Sequence, residues 1–264
     1  MKASLSPLAC ELGRIAHDAG RLIMKHYASV SEVRTKADAS PVTKADEEAE
    51  ALILDRLAKL EPNVPVIAEE SVARGHVPAT GSRFFLVDPL DGTKEFLQKN
   101  GEFTVNIALI EHGRPVAGVV IAPAKARAFI GDGTHGAFEL AAPDDLPLEV
   151  ATAQPIRARK APQDGLVAVV SRTHRDTKTE HYLASYQVSN MVAAGSSLKF
   201  CLVATGEADL YPRHGTTMEW DTAAGQAVLE AAGGSVNTLE GEPLVYGKAA
   251  LRFVNPHFVA RGVT

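Results

Sequence analysis

Apolar residues at Leu8, Leu12, Ile15, Ala16, Ala19, Leu22 and Ile23 recur close to every 3.6 positions, which predicts an amphipathic helix from Leu8 to about Tyr27. A second stripe (Ala45, Ala49, Leu52, Ile53, Leu57, Leu60) predicts a helix over Lys44–Leu60. Thr43, just ahead of it, has the hydroxyl to cap the free N–H groups, with Asp46 three residues on, so Asp46 has an ordinary explanation as part of a cap. The pattern then shortens. Apolar runs bounded by Gly and Pro at Val64–Ala68, Phe84–Val87, Phe103–Ile110, Val116–Ala122 and Ala128–Gly131 read as strands, joined by gaps short enough for an antiparallel meander. Beyond the Pro-, Asp- and Ala-rich stretch Ala141–Pro147, strands at Leu166–Val170, Val188–Val192 and Ala208–Tyr211 alternate with helices near Asp176–Ser185, Ser196–Thr205 and Thr222–Ala232. That alternation belongs to an α/β unit. The expected chain is therefore α+β / α/β in two lobes, residues 1–150 and 151–264, forming one compact unit with a site at their interface.

Composition narrows the class. With 264 residues, 45% hydrophobic and 22% charged, the chain has the apolar side chains to bury a substantial core. The 27 basic and 32 acidic residues leave a net charge of −5, without the broad basic footprint of a duplex binder, so no nucleic-acid polymer is expected as a partner. Cys10 and Cys201 stand far apart without CxxC spacing, which excludes a disulfide framework and a thiolate zinc site and points to a reducing compartment. No run approaches the roughly 18 apolar residues of a membrane span, and no signal-like core follows Lys2. A soluble, unprocessed cytoplasmic protein is expected, with peripheral contact at the inner membrane face and the oligomeric state left open.

One motif misleads. Gly131-Asp132-Gly133-Thr134-His135-Gly136 satisfies the G-x-G-x-x-G pattern of dinucleotide-binding loops, but a β-like segment, Ala137–Leu140, follows it where a helix N-terminus should receive the pyrophosphate. It reads as a hairpin turn. Leu86-Val87-Asp88-Pro89-Leu90-Asp91-Gly92-Thr93 is of another kind, because a buried apolar strand delivers two carboxylates around a proline. Two such charges either raise one pKa strongly or bind a hard cation, and an all-oxygen set suits Mg²⁺. The Leu90 carbonyl can add a neutral oxygen, while Gly92 and Thr93 offer N–H groups and a hydroxyl to a phosphate. Glu69-Glu70-Ser71 supplies another acidic pair directly after a strand, and Trp220-Asp221 places an acid at the expected N-cap of a small-residue helix.

Together, Pro41–Asp46, Glu69-Glu70-Ser71, Asp88–Thr93 and Trp220-Asp221 through Gly234 resemble, in order and over nearly the whole chain, the lithium-sensitive, Mg²⁺-dependent phosphatase superfamily that includes the inositol monophosphatases and the 3'-phosphoadenosine 5'-phosphate phosphatases. The resemblance implies the two-lobed, layered αβαβα sugar-phosphatase fold. It implies that Glu69, Asp88, Asp91 and Asp221, with the Leu90 carbonyl, hold two or three Mg²⁺ ions. Gly92 and Thr93 would receive the scissile phosphate, and Asp46 or Glu70, with the Thr93 hydroxyl, would orient or deprotonate the attacking water. No covalent nucleophile is required.

The substrate is read from the second half of the chain. Lys94-Glu95-Phe96, Ser171-Arg172-Thr173-His174, Gly195 to Phe200 and Tyr211-Pro212-Arg213 resemble the adenosine-bisphosphate branch, which implies that His174, Ser196, Lys199, Arg213 and Asp221 contact the nucleotide and its second phosphate. A substrate with two phosphates needs cationic donors beyond the metal site, and Lys199 and Arg213 flank one predicted helix–strand unit. The expected activity is removal of the 3'-phosphate from adenosine 3',5'-bisphosphate, with its sulfated form left open as a second substrate, clearing a by-product of sulfate activation. Two alternatives remain at this stage: a phosphatase of a smaller sugar or polyol phosphate, and a metal-dependent nucleotide-binding module without turnover. Glu219, before Trp220, departs from the family pattern and has no role assignable from sequence. The six acids named for the site, Asp46, Glu69, Glu70, Asp88, Asp91 and Asp221, outnumber the whole net charge, so the acidity of the chain is local.

Overall fold

The computed structural model describes residues 5–29, 33–35, 41–171 and 177–263. Helix α1 (Pro7–Ala28) is followed by a small antiparallel pair, β1 (Val33–Thr35) with β2 (Pro41–Thr43), and by α2 (Lys44–Leu60). The Thr43 hydroxyl and backbone and the Asp46 carboxylate cap the start of α2 reciprocally, so the capping expected from sequence is present.

A seven-stranded sheet comes next, ordered as in the chain: β3 (Val66–Ala68), β4 (Arg83–Asp91), β5 (Thr104–Glu111), β6 (Arg114–Ala122), β7 (Arg127–Asp132), β8 (Gly136–Ala141) and β9 (Gln154–Ile156). β3 and β4 run parallel, and from β4 onward every pair is antiparallel, as the short gaps required. The G-x-G-x-x-G stretch is the β7–β8 hairpin, with Asp132 opposite Gly136. Two short helices interrupt the meander, α3 (Glu69–Ala73) and α4 (Thr93–Leu97).

The strands of this sheet read as continuous apolar runs because both faces are covered. Phe85, Val87, Val105, Ile107, Val119, Ile121 and Ile130 join the core beneath α1 and α2, while the alternate Phe84, Leu86, Ala108, Ile110, Val120 and Phe129 join the core on the opposite face.

That opposite face carries α6 (Leu198–Ala204) and α7 (Glu219–Ala231), which also pack against a second sheet. The second sheet runs β11 (Val188–Ala194), β10 (Leu166–Ser171), β12 (Leu210–Arg213), β14 (Phe258–Arg261), β13 (Ser235–Thr238). Its β10–β11 and β10–β12 pairs are parallel and its last two pairs antiparallel, so the α/β half is a mixed sheet. A short helix, α5 (Thr177–Leu183), packs on its far side through Leu183, Leu210 and Val259. The layers are α1/α2, first sheet, α6/α7, second sheet, α5, which is the αβαβα order. The chain crosses from one sheet to the other between Ile156 and Leu166.

α7 lies directly on the first sheet because two strand positions there have no side chain. A Cβ on Gly118 would stand 2.6 Å from Ala227 Cβ, and one on Gly131 2.5 Å from Val228 Cα. Among the described residues no helix is long and apolar enough to cross a membrane.

Candidate active site

The site is built first by a β-bulge. In a regular strand, residues three apart face opposite sides. Between Asp88, paired with Asn106, and Asp91, paired with Thr104, β4 carries one residue more than β5. This extra residue resets the alternation at the strand end, so that Asp88 and Asp91 lie close enough to repel each other. The parallel register of β3 on β4 sets Ala68 beside Val87, so Glu69, the next residue, arrives abreast of Asp88 and hydrogen-bonds to it. From across the interface α7 brings Asp221. Sequence placed Asp221 at the helix N-cap; the helix instead begins at Glu219, and Asp221 sits in its first turn, Oδ2 accepting from Met218 N at 2.8 Å. Met218 has no capping oxygen, so the carboxylate reaches back to do that work.

These four carboxylates share the electrostatics of a site that needs cations. Burial first, and then Glu69, Asp91 and Asp221, push the Asp88 carboxyl well above the usual carboxylate range. Burial, Asp91 and Glu69 do the same to Asp221, and burial raises Asp91 against the opposing pull of Lys199. A divalent cation among them would relieve both the burial and the repulsion, and the all-oxygen donor set matches a hard ion. Among the described residues no three acidic, His or Cys side chains close into an ion cage. Glu69, Asp91 and Asp221 instead line an open cleft of about 260 Å³, with Asp88 buried beside them, an arrangement suited to Mg²⁺, which usually keeps waters and shares its ligands with a bound phosphate.

At the edge of this cluster Thr93 Oγ1 donates to Asp46 Oδ1 at 3.1 Å and stands 3.4 Å from the Leu90 carbonyl. Asp46 is buried, and its other oxygen accepts from Thr43 N at 2.8 Å and Thr43 Oγ1 at 2.6 Å. The cap of α2 therefore fixes an Asp–Thr pair that borders the cleft. Gly92, at φ +92°, turns the chain into α4; a Cβ there would meet Ser196 Oγ at 2.2 Å. Glu70 is buried, with its backbone N–H donating to Glu50.

The opposite wall comes from the second sheet and α6. Lys199 is buried, its Nζ donating to the Ser196 carbonyl at 2.6 Å, and burial lowers its pKa to about 8. Arg213 ends β12 in the same cleft, with its guanidinium over Gly215 and its Nε buried without a hydrogen-bond partner. The two cations are near enough that Arg213 also depresses Lys199. The Ser196 hydroxyl, expected to meet the nucleotide, lies 2.8 Å from the carbonyls of both Asp91 and Glu102, with Ser196 at φ +51°. Here it ties the Asp91–Gly92 turn to the segment leading into α6. His174 lies outside the described residues.

Three residues that hold this arrangement were not singled out by the sequence. Glu50 accepts from Glu70 N at 2.7 Å, Ser71 Oγ at 2.8 Å and Arg74 at 2.8 Å, which fixes the segment bearing Glu69. Ser197 Oγ donates to the Asp221 carbonyl at 2.7 Å and lies 3.2 Å from Asp91 Oδ2, while Asn106 Nδ2 reaches both Ser197 and Asp91. The signal for Glu50 was present as an acid on the Ala49–Ile53–Leu57 stripe of α2. Ser197 and Asn106 carry no such mark.

Known proteins match this arrangement along its length. The family model described as "Inositol monophosphatase family" matches residues 4–261. The 3'(2'),5'-bisphosphate nucleotidase CysQ of Escherichia coli (strain K12) is 45% identical over 251 residues, 94% of this chain and 96% of that protein. Among solved structures, CysQ from Bacteroides thetaiotaomicron, described as a bacterial member of the inositol monophosphatase family, superposes with a TM-score of 0.81 at 36% identity and 97% coverage of each chain. The IMPase of Thermotoga maritima superposes with a TM-score of 0.74 at 25% identity, over 94% of this chain and 89% of its own.

Proposed function

We infer that this chain, which belongs to the inositol monophosphatase family, is a 3'(2'),5'-bisphosphate nucleotidase that removes the 3'-phosphate of adenosine 3',5'-bisphosphate to leave AMP. The observation that carries the choice of a bisphosphate is the pairing, in one cleft, of the acidic cluster with the buried Lys199 and the half-buried Arg213 on the facing wall. A substrate with one phosphate on a neutral polyol brings these two cations no second anion, whereas a nucleotide with a second phosphate does. The similarity to bisphosphate nucleotidases at 45% identity supports the same reading.

Glu69, Asp88, Asp91 and Asp221, with the Leu90 carbonyl, would hold two or three Mg²⁺ ions. Mg²⁺ at this place supplies positive charge to the phosphate and the leaving oxygen and lowers the pKa of water. The chain's own residues supply position and proton transfer. Thr93 Oγ1, already committed as a donor to Asp46 Oδ1, can accept a hydrogen bond from the attacking water, so the water proton passes to Thr93 as the Thr93 proton passes to Asp46. Asp46 is fixed through its other oxygen by the two Thr43 donors. The water oxygen bonds to phosphorus as the bond to the 3'-oxygen breaks, the 3'-oxygen taking a proton from solvent to leave the 3'-hydroxyl of AMP, and Glu70, next to Glu69, is a second candidate base. Lys199 and Arg213 hold the 5'-phosphate. Phosphorus NMR of a reaction with adenosine 3',5'-bisphosphate and Mg²⁺ tests this: 5'-AMP and inorganic phosphate are expected, with no turnover in EDTA. 3'-AMP as the product, or turnover without a divalent metal, contradicts it.

A further inference from the structure

Glu219 has no place in the chemistry above, yet it is fully buried beside the first turn of α7. Its Oε2 accepts from Gly247 N and its Oε1 from Lys248 N, both at 2.8 Å, and Lys248 Nζ pairs with Oε1 at 2.8 Å. Lys248 Nζ also donates to the Val245 carbonyl and stands 3.3 Å from Asn255 Oδ1. Asn255 in turn donates through Nδ2 to the Met218 carbonyl at 2.7 Å and to Thr222 Oγ1 at 3.0 Å, and through its backbone N to the Thr217 carbonyl at 2.9 Å. The loop 245–255 is thus tied to residues 217–222 by charged and amide groups, alongside the apolar contact of Phe253 with Trp220. A buried ion pair is a poor device for stability, because desolvation offsets most of its attraction, but it fixes geometry. What it fixes here is the turn whose Met218 N–H orients the Asp221 carboxylate.

The geometry points to Lys248, Glu219 and Asn255 as a positioning clamp that sets the Asp221 carboxylate for cation binding. This rests on the reading of Asp221 as a metal ligand. Groups that orient a ligand from behind typically control metal affinity by 10- to 100-fold when removed. The test uses the full chain and Mn²⁺, counted by electron paramagnetic resonance, with melting temperature recorded in parallel. Lys248→Met is expected to weaken Mn²⁺ binding about tenfold and to cause no further weakening in an Asp221→Asn background, while lowering the melting temperature in both. Asn255→Ser, which withdraws the amide but keeps the backbone bond to Thr217, carries the same expectation where Lys248→Met folds poorly. Equal weakening in the two backgrounds, or unchanged Mn²⁺ affinity in both clamp variants, overturns the clamp and leaves the function standing. Unchanged Mn²⁺ binding in Asp221→Asn alone overturns the ligand reading and the clamp with it.

Discussion

Asp88 and Lys199 are the two residues whose protonation ties structure to activity. The folded Asp88 carboxyl titrates above its unfolded value of 3.8, so its contribution to stability is complete below about pH 4 and is lost as pH rises through the folded value. In metal-free protein above about pH 4, placing Asp88 in this buried, repulsive site therefore works against folding. Asp88→Asn is expected to melt higher than wild type in EDTA at pH 7, with the gap closing on acidification and reversing in Mg²⁺, by thermal melts across pH. The same variant should lose on the order of 10³-fold in turnover, since it removes a proposed cation ligand. Lys199 shifts the other way, from 10.5 to about 8, so its ammonium is present below that pH and lost above it. The kcat/KM for the bisphosphate should fall as pH passes about 8. Lys199→Gln should start about 10- to 100-fold lower at pH 7, the range of a charge-assisted hydrogen bond, and lack that limb in a pH–rate comparison. At this scale the acids and cations were legible because they are costly inside an apolar pattern. Ser197, Asn106 and the orientation of Ser196 were not, because their partners are backbone or distant side chains that only the fold brings near.

The elements matter through what they bring together. The bulge at Asp88–Asp91 and the register of β3 on β4 assemble one half of the site, and α7 delivers the other. That delivery depends on Gly118 and Gly131, where α7 touches the sheet backbone. Gly131→Ala should lower stability by about 1–3 kcal/mol, the usual effect of overpacking, and also weaken Mg²⁺ binding by displacing α7. Urea unfolding and metal titration of that variant read the two effects separately. The long periodic helices and the meander strands were legible, with boundaries off by a few residues. The helices α3 and α4, the strands β1, β2, β9, β13 and β14, and the first turn of α7 were missed. Their residues carry no period long enough to read, and Glu219 and Trp220 extend α7 ahead of any capping signal. The two-residue displacement of β12 toward Arg213 had the same origin: Pro212 reads as a strand breaker, yet it is tolerated within the β12–β14 pair.

For the whole molecule, one patch of acids explains a net charge of −5 on an otherwise balanced chain, and it makes stability a function of metal concentration. Mg²⁺ at a hundred times its Kd should add about 2.7 kcal/mol to the unfolding free energy, and the melting temperature should fall to a metal-independent floor in chelator. The layered fold matters to the chemistry because it sets the acidic cluster against Lys199 and Arg213 on the facing wall, and in the proposed reading that opposition selects a substrate with two phosphates. The most direct test is the ratio of kcat/KM for adenosine 3',5'-bisphosphate to that for inositol 1-phosphate, measured side by side in saturating Mg²⁺. A ratio well above one, collapsing toward one when Lys199 and Arg213 are both replaced by Gln, is the result expected. A wild-type ratio at or below one would contradict the account.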